Sequence, residues 1–151
     1  MSVNTDYEGR VYPPSPPFQV GREAIRDFAE AVGASSVLHR DLLAARAAGH
    51  ADLVAPPTFT VAVAQRCEAQ FVQDPEAGID FSRVVHAEEQ FHLERPVVAG
   101  DDITAVLTVE RIRGVGGNVL VTTRVDMWSE PTCQDKVGTV RSTLLVRGED
   151  R

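Results

Sequence analysis

Histidine is the side chain best suited to proton transfer near neutral pH, and this chain has four: His39, His50, His86 and His92. His39 stands alone in a polar loop, Val32–Asp41, between two helical stretches. An imidazole there can act as a general base or acid. With no carboxylate set against it, a lone loop histidine is more often a hydrogen-bonded structural residue or a surface group. His86 and His92 alternate with Glu88 along one face of an extended segment. A His–Glu pair on that face could form an acid–base dyad, and a solvated sheet face would read the same way. His50 lies at a helix end and carries no signal. No four-ligand metal spacing, Gly-rich phosphate loop or GxSxG is present, so neither metal nor cofactor is expected. Cys67 and Cys133 are far apart and read as two reduced thiols. Arg83 and Arg95 could meet a phosphate or could simply be surface charges.

The chain has 151 residues, 43% hydrophobic and 25% charged, enough to bury one core without disulfides. A single domain over residues 1–151 is expected. The net charge of -7 argues against a nucleic-acid or anionic-membrane surface, which needs clustered Lys and Arg. No window reaches the roughly 20 apolar residues of a membrane span. MSVNTDYEGR has no apolar targeting core, so a cytoplasmic location is expected.

The elements that must position these histidines follow from periodicity. The four prolines of Val11–Pro17 force an extended lead-in. A helix over Arg22–Val32 carries Ala24, Ile25, Phe28, Ala29 and Val32 on one face, with Gly33 as its stop. A short helix has Asp41 as N-cap and Gly49 as C-terminal glycine. Pro56 and Pro57 open a long helix over Thr58–Gln73, apolar on nearly every face in its first half and therefore buried.

The period then switches to two. Strands are expected over Val84–Leu93, Ile103–Ile112, Val119–Met127 and Val137–Val146. Gly114, Gly116, Gly117 and Asn118 form a turn cluster, and Ser129–Lys136 a loop containing Pro131. In the first strand Val85, Ala87, Glu89, Phe91 and Leu93 are expected on one face. Helices followed by hairpin-spaced strands give an α+β class with a mostly antiparallel sheet.

Several segments in order resemble the MaoC-like hotdog proteins, the (R)-specific enoyl hydratase and 3-hydroxyacyl dehydratase group. They are Gly21–Ala29 (GREAIRDFA), Ala55–Phe59 (APPTF), Val84–Phe91 (VVHAEEQF) and Arg95–Asp101 (RPVVAGD). Within that group they are similar to the actinobacterial proteins related to the dehydratase N-terminal domain. These include non-catalytic subunits of a heterodimeric 3-hydroxyacyl-ACP dehydratase. The resemblance implies a single hotdog domain, a mostly antiparallel sheet wrapped around a long central helix.

It also implies what the residues would do. The family loop carries an Asp and, five residues later, a His. Here the His position is His39 and the Asp position is Ala34, whose methyl group cannot exchange a proton. The family's His-Gly step before the central helix is Pro56–Pro57, so an oxyanion donor would have to come from Thr58 or Phe59. No complete catalytic set is therefore expected, and His39 and His86 are the candidates for proton transfer. Thr58, Phe59 and Ala62 are the expected substrate contacts. The implied ligand is an acyl-CoA or acyl-ACP thioester. The implied assembly is a homodimer, or a heterodimer with a catalytic MaoC-like hotdog subunit.

Overall fold

A computed structural model of the chain describes residues 2–129 and 134–148. Pro131 and Cys133 lie outside the described residues. Five strands form one antiparallel sheet in the order β1-β3-β4-β5-β2. They are β1 (Phe18–Gln19), β2 (Val84–Leu93), β3 (Asp102–Val115), β4 (Asn118–Ser129) and β5 (Asp135–Val146). The helices are α1 (Arg22–Ala31), α2 (Leu42–Ala47) and α3 (Val61–Val72). The sheet curls around α3, which is the hotdog arrangement.

Burial along β4 alternates from Leu120 to its end. Val121, Thr123, Val125 and Met127 face inward, as the period-two pattern requires. Gly116 and Gly117 both have positive φ, 56° and 84°. Two such residues form the two-residue hairpin between Val115 and Asn118, a conformation that suits the twist of the flanking strands. Asp41 caps α2 through its side chain, which accepts from the Ala44 N–H at 3.0 Å.

Three expectations need correction. The central helix begins at Val61, not Thr58. The Phe59 N–H bonds to the Pro56 carbonyl and the Val61 N–H to the Thr58 carbonyl, so the chain makes tight turns before the helix starts. The helix is also not apolar all round. Val63, Ala64, Cys67, Glu68 and Phe71 are buried, while Gln65 and Arg66 are exposed, because the sheet covers one side only.

The third correction concerns β2. A β-bulge lies between His86 and Glu88, so that His86 pairs with Leu144, Glu88 with Thr143 and Glu89 with Ser142. One extra residue inverts the alternation. His86 and Glu89 therefore share the face of the buried Leu144 and Ser142, and Glu88 lies on the opposite face. The expected His86–Glu88 dyad does not form. Glu88 instead accepts from Gln90 Nε2 at 2.7 Å.

The two outer sides of the sheet differ. Beside β1, the β3 side is covered by the N-terminal segment. The N–H groups of Gly9, Tyr12 and Ser15 donate to the carbonyls of Val109, Leu107 and Ala105. Among the described residues β2 pairs with β5 alone, and Val85 is left 46% exposed.

Candidate functional site

The His39 loop is built by its own short turns. Val37–His39 is one 3₁₀ turn, started by Ser36, whose hydroxyl accepts from the Leu38 N–H. His39 is buried, and its Nδ1 lies 2.6 Å from the Val54 carbonyl oxygen. A carbonyl only accepts, so Nδ1 carries the proton and Nε2 is left as the acceptor nitrogen. His39, Val54, Ala55, Pro57, Leu93, Glu94, Arg95 and Pro96 line an open groove of about 400 Å³. An imidazole held this way could take a proton at Nε2.

The rest of the loop is occupied in holding itself together. Arg40 Nη1 donates to the carbonyls of Ala34 and Ser36 at 2.7 and 3.3 Å. Arg26 Nε in turn donates to the Arg40 carbonyl at 3.2 Å. Glu94 is the carboxylate that lines the His39 groove, and its Oε1 lies 3.3 Å from His92 Nε2.

Of the expected contact residues, Thr58 is exposed and Ala62 half-buried. Phe59 is buried against Phe18 and Phe28, with both ring pairs edge-on. Its N–H is already used within the turn. Thr60 precedes the helix, and its buried hydroxyl has no partner among the described residues.

His86 belongs to a second groove of about 430 Å³, near the other end of α3 and β2. Its lining includes Glu68, Val72, Phe81, Val84 and Leu144. Behind it a polar row crosses three strands, because Thr123 pairs with Ser142 and Ser142 with Glu89. Thr123 Oγ1 donates to Glu68 Oε1 and Ser142 Oγ to Glu89 Oε1, each at 2.9 Å. Glu89 Oε2 is buried with no hydrogen bond among the described residues, 3.8 Å from His86 Nδ1. Burial pushes the Glu89 carboxyl above the usual carboxylate range, and the neighbouring Glu68 adds to the shift while the Ser142 hydroxyl opposes it.

Sequence reasoning missed Glu68 and Glu89. Glu68 was legible in principle, since it falls on the stripe Ala64–Cys67–Phe71 at helical spacing. Glu89 was legible as well, since the period of two already set it with Phe91 and Leu93; what leaves no periodic trace is the bulge that brings His86 onto the same face.

The remaining reactive groups have structural roles. All five N–H donors of Arg95 are used, on Asp101, Asp135 and the Pro96 carbonyl, which leaves none for a phosphate. Arg83 Nη1 donates to the Gly148 carbonyl at 2.6 Å. Cys67 is buried, and burial pushes its thiol up to about 11, so it is not a thiolate at neutral pH. Among the described residues no cluster of His, Cys, Asp and Glu could hold a metal, and no helix is long and apolar enough to cross a membrane.

Comparison with known proteins gives a consistent result. The family described as "FAS1-like, dehydratase domain region" matches residues 9–132. A "UPF0336 protein" of Clavibacter michiganensis is 50% identical over 150 residues, covering 99% of each chain. One from Saccharopolyspora erythraea is 44% identical, covering 98% of this chain and 94% of that one. Among solved structures, the HadBC (3R-hydroxyacyl-ACP dehydratase) complex from Mycobacterium tuberculosis superposes with a TM-score of 0.82 at 29% identity. The match covers 93% of this chain and 98% of that one. A MaoC-like dehydratase gives a TM-score of 0.85 at 30% identity, covering 95% of this chain and 43% of that one.

Proposed function

The chain belongs to the MaoC-like hotdog dehydratases, in the FAS1-like dehydratase-domain family, and from that premise we propose that it is the substrate-binding, non-catalytic subunit of an (R)-3-hydroxyacyl thioester dehydratase or hydratase of fatty-acid metabolism. A second hotdog chain supplies the acid and base. The observation that carries this reading is the loop at Ala34. His39 keeps an acceptor nitrogen beside a groove, but position 34 offers only a methyl group, and the Arg40 guanidinium binds that residue's carbonyl.

Dehydration needs a base for the α proton and an acid for the leaving hydroxyl, and a positioned acid or base is worth about 10²–10⁴ in rate. One imidazole supplies half of that pair. The similar 3R-hydroxyacyl-ACP dehydratase is itself a complex, which supports a two-chain enzyme. The open edge of β2 offers the seam, since a strand added there would continue the sheet. The acyl thioester would lie along α3 with its reacting end at Thr58 and Ala62.

The chain alone is expected to bind acyl thioesters yet hydrate crotonyl-CoA at a negligible rate. Ala34→Asp alone is expected to leave it at least about 10²-fold below a true hydratase, because the Pro56–Pro57 step still lacks the family's donor arrangement. Steady-state hydration by the purified chain, with and without a co-purifying hotdog chain, tests both. Turnover near a true hydratase's, abolished by His39→Ala or His86→Ala, would reject the non-catalytic reading. It would favour a hydratase using non-standard residues, for which Glu94 in the His39 groove is the available carboxylate. Tight acyl-CoA binding by a homodimer with no gain from any partner would favour a ligand-sequestering role.

A further inference from the structure

The groove beside the second half of α3 has a floor unsuited to a plain hydrocarbon. Val72, Phe81, Val84 and Leu144 give it apolar lining, but Glu68 lines it too, and among the described residues none of the polar residues beside it, Gln65, Gln73 and His86, hydrogen-bonds to that carboxylate. Glu68 is only 4% exposed. Among the described residues its one side-chain hydrogen bond comes from Thr123 and reaches Oε1, and no ion pair involves it. The other carboxylate nearby, Glu89, adds like charge and no donor. Glu68 is thus a buried carboxylate with spare acceptor capacity, lining a groove of a size that holds a small ligand.

We propose that this groove binds the distal part of an acyl chain that carries a hydroxyl group there, with the hydroxyl donating to Glu68. The proposal rests on the acyl-thioester reading above and adds the substrate class. An alkyl chain laid over the floor would strip water from the open carboxylate oxygen and return no hydrogen bond, and that is costly. A hydroxyl replaces the lost water. Sites built to hydrogen-bond a substrate hydroxyl reject the analogue lacking it far more strongly than apolar pockets reject a missing methylene. An ammonium group would also be attracted, but it must shed a much larger hydration cost.

The position separates this hydroxyl from the one eliminated in a dehydration. Glu68 lies eight residues past Thr60, roughly 12 Å along the helix at about 1.5 Å per residue. The reacting end sits at Thr58–Ala62 in the parent reading, so Glu68 addresses the far end of the chain.

The test is calorimetric titration of the full chain, with its partner where one co-purifies. The probes are dodecanoyl-CoA, ω-hydroxydodecanoyl-CoA and ω-aminododecanoyl-CoA. The hydroxylated probe is expected to bind about tenfold or more tightly than the plain one, as befits a hydrogen bond to a charged group. Glu68→Leu should remove or invert that preference by improving binding of the plain chain. Glu68→Gln keeps the shape and should reduce the preference severalfold, so it serves if the leucine variant does not fold. Equal binding of the plain and hydroxylated probes, or a preference that survives Glu68→Leu, overturns the proposal and leaves the acyl-binding reading standing. Preference for the amino probe overturns the hydroxyl assignment. Failure of all three to bind overturns the acyl-thioester reading and this proposal with it.

Discussion

Glu89 ties the stability of the molecule to pH through one side chain. Its carboxyl is held above the usual range by burial, with Ser142 bonded to one oxygen and, among the described residues, no hydrogen bond to the other, which has only His86 Nδ1 at 3.8 Å. A carboxyl whose folded value is raised favours folding while it is neutral. Its contribution is present below the unfolded Glu value of about 4.3 and is lost as the pH rises through the folded value. Glu89→Gln keeps an oxygen for Ser142, and its amide can donate toward Glu68. The variant should therefore melt at a higher temperature than the natural chain at pH 8 and at nearly the same temperature at pH 4. Thermal melts across that range decide it, and coincident curves at pH 8 would refute the account. The same residue shows the limit of reading the sequence. In Val84–Leu93 the apolar positions suggest a regular strand, and only the hydrogen-bond register reveals that Ala87 is extra. Counting by twos assigned Glu89 to the correct partners on one side of the bulge and His86 to the wrong face on the other.

At the scale of elements, the turn between β2 and β3 depends on one cation. Arg95 holds Asp101 with two bonds of 2.8 and 2.9 Å and Asp135 with two of 2.9 and 3.0 Å, linking the approach to β3 with the start of β5. Asp101 also accepts from the Val98 N–H and from Ser129, so the clamp fixes both ends of the turn. Arg95→Ala leaves Asp101 largely buried and short of its main partner. Because the cluster is partly exposed, the cost is discounted to about 2 kcal/mol, below that of a fully buried pair. Arg95→Lys should recover only a minor part, since a point charge cannot serve two carboxylates and a carbonyl at fixed angles. Arg95 also holds the Asp135 carboxyl below the usual range. That contribution is present above the unfolded Asp value of about 3.9 and disappears as the pH falls through the folded one. Urea unfolding of the three proteins at pH 7 and pH 3 measures both effects, and a wild-type midpoint for Arg95→Ala at pH 7 would discard the clamp. Elements with strong local signals were legible from sequence, as with the capped α2 and the Gly116–Gly117 hairpin. The start of α3 was not, because Pro56 and Pro57 read as a helix start whether the next three residues are helical or, as here, successive turns. The two residues of β1 are too few to leave a pattern.

At the scale of the whole molecule, the two sides of the sheet have different fates. The β3 side is closed from within the chain. The N-terminal segment donates three backbone bonds to β3 and accepts one from the Val109 N–H, while Glu8 Oε2 accepts from the Ile112 N–H. It also buries Val3, Tyr7 and Tyr12, with both tyrosine rings set against Phe71. The prolines that forbid regular structure in this segment suit a covering strap, since proline adds no free donor to an edge. Among the described residues the β2 edge has no such cover. Deleting residues 2–16 would give the molecule a second open edge and remove three large apolar side chains from the core, each worth about 1.5–3 kcal/mol when fully buried. The truncated chain should unfold at lower urea concentration and form species larger than the natural assembly, because an unpaired edge recruits further strands. Light scattering coupled to size exclusion distinguishes the outcomes. A truncated chain with the same mass distribution and midpoint as the natural one would mean that the strap protects nothing. Larger species that vanish on adding the free 2–16 peptide would show that closing the β3 edge is what keeps further strands from pairing there.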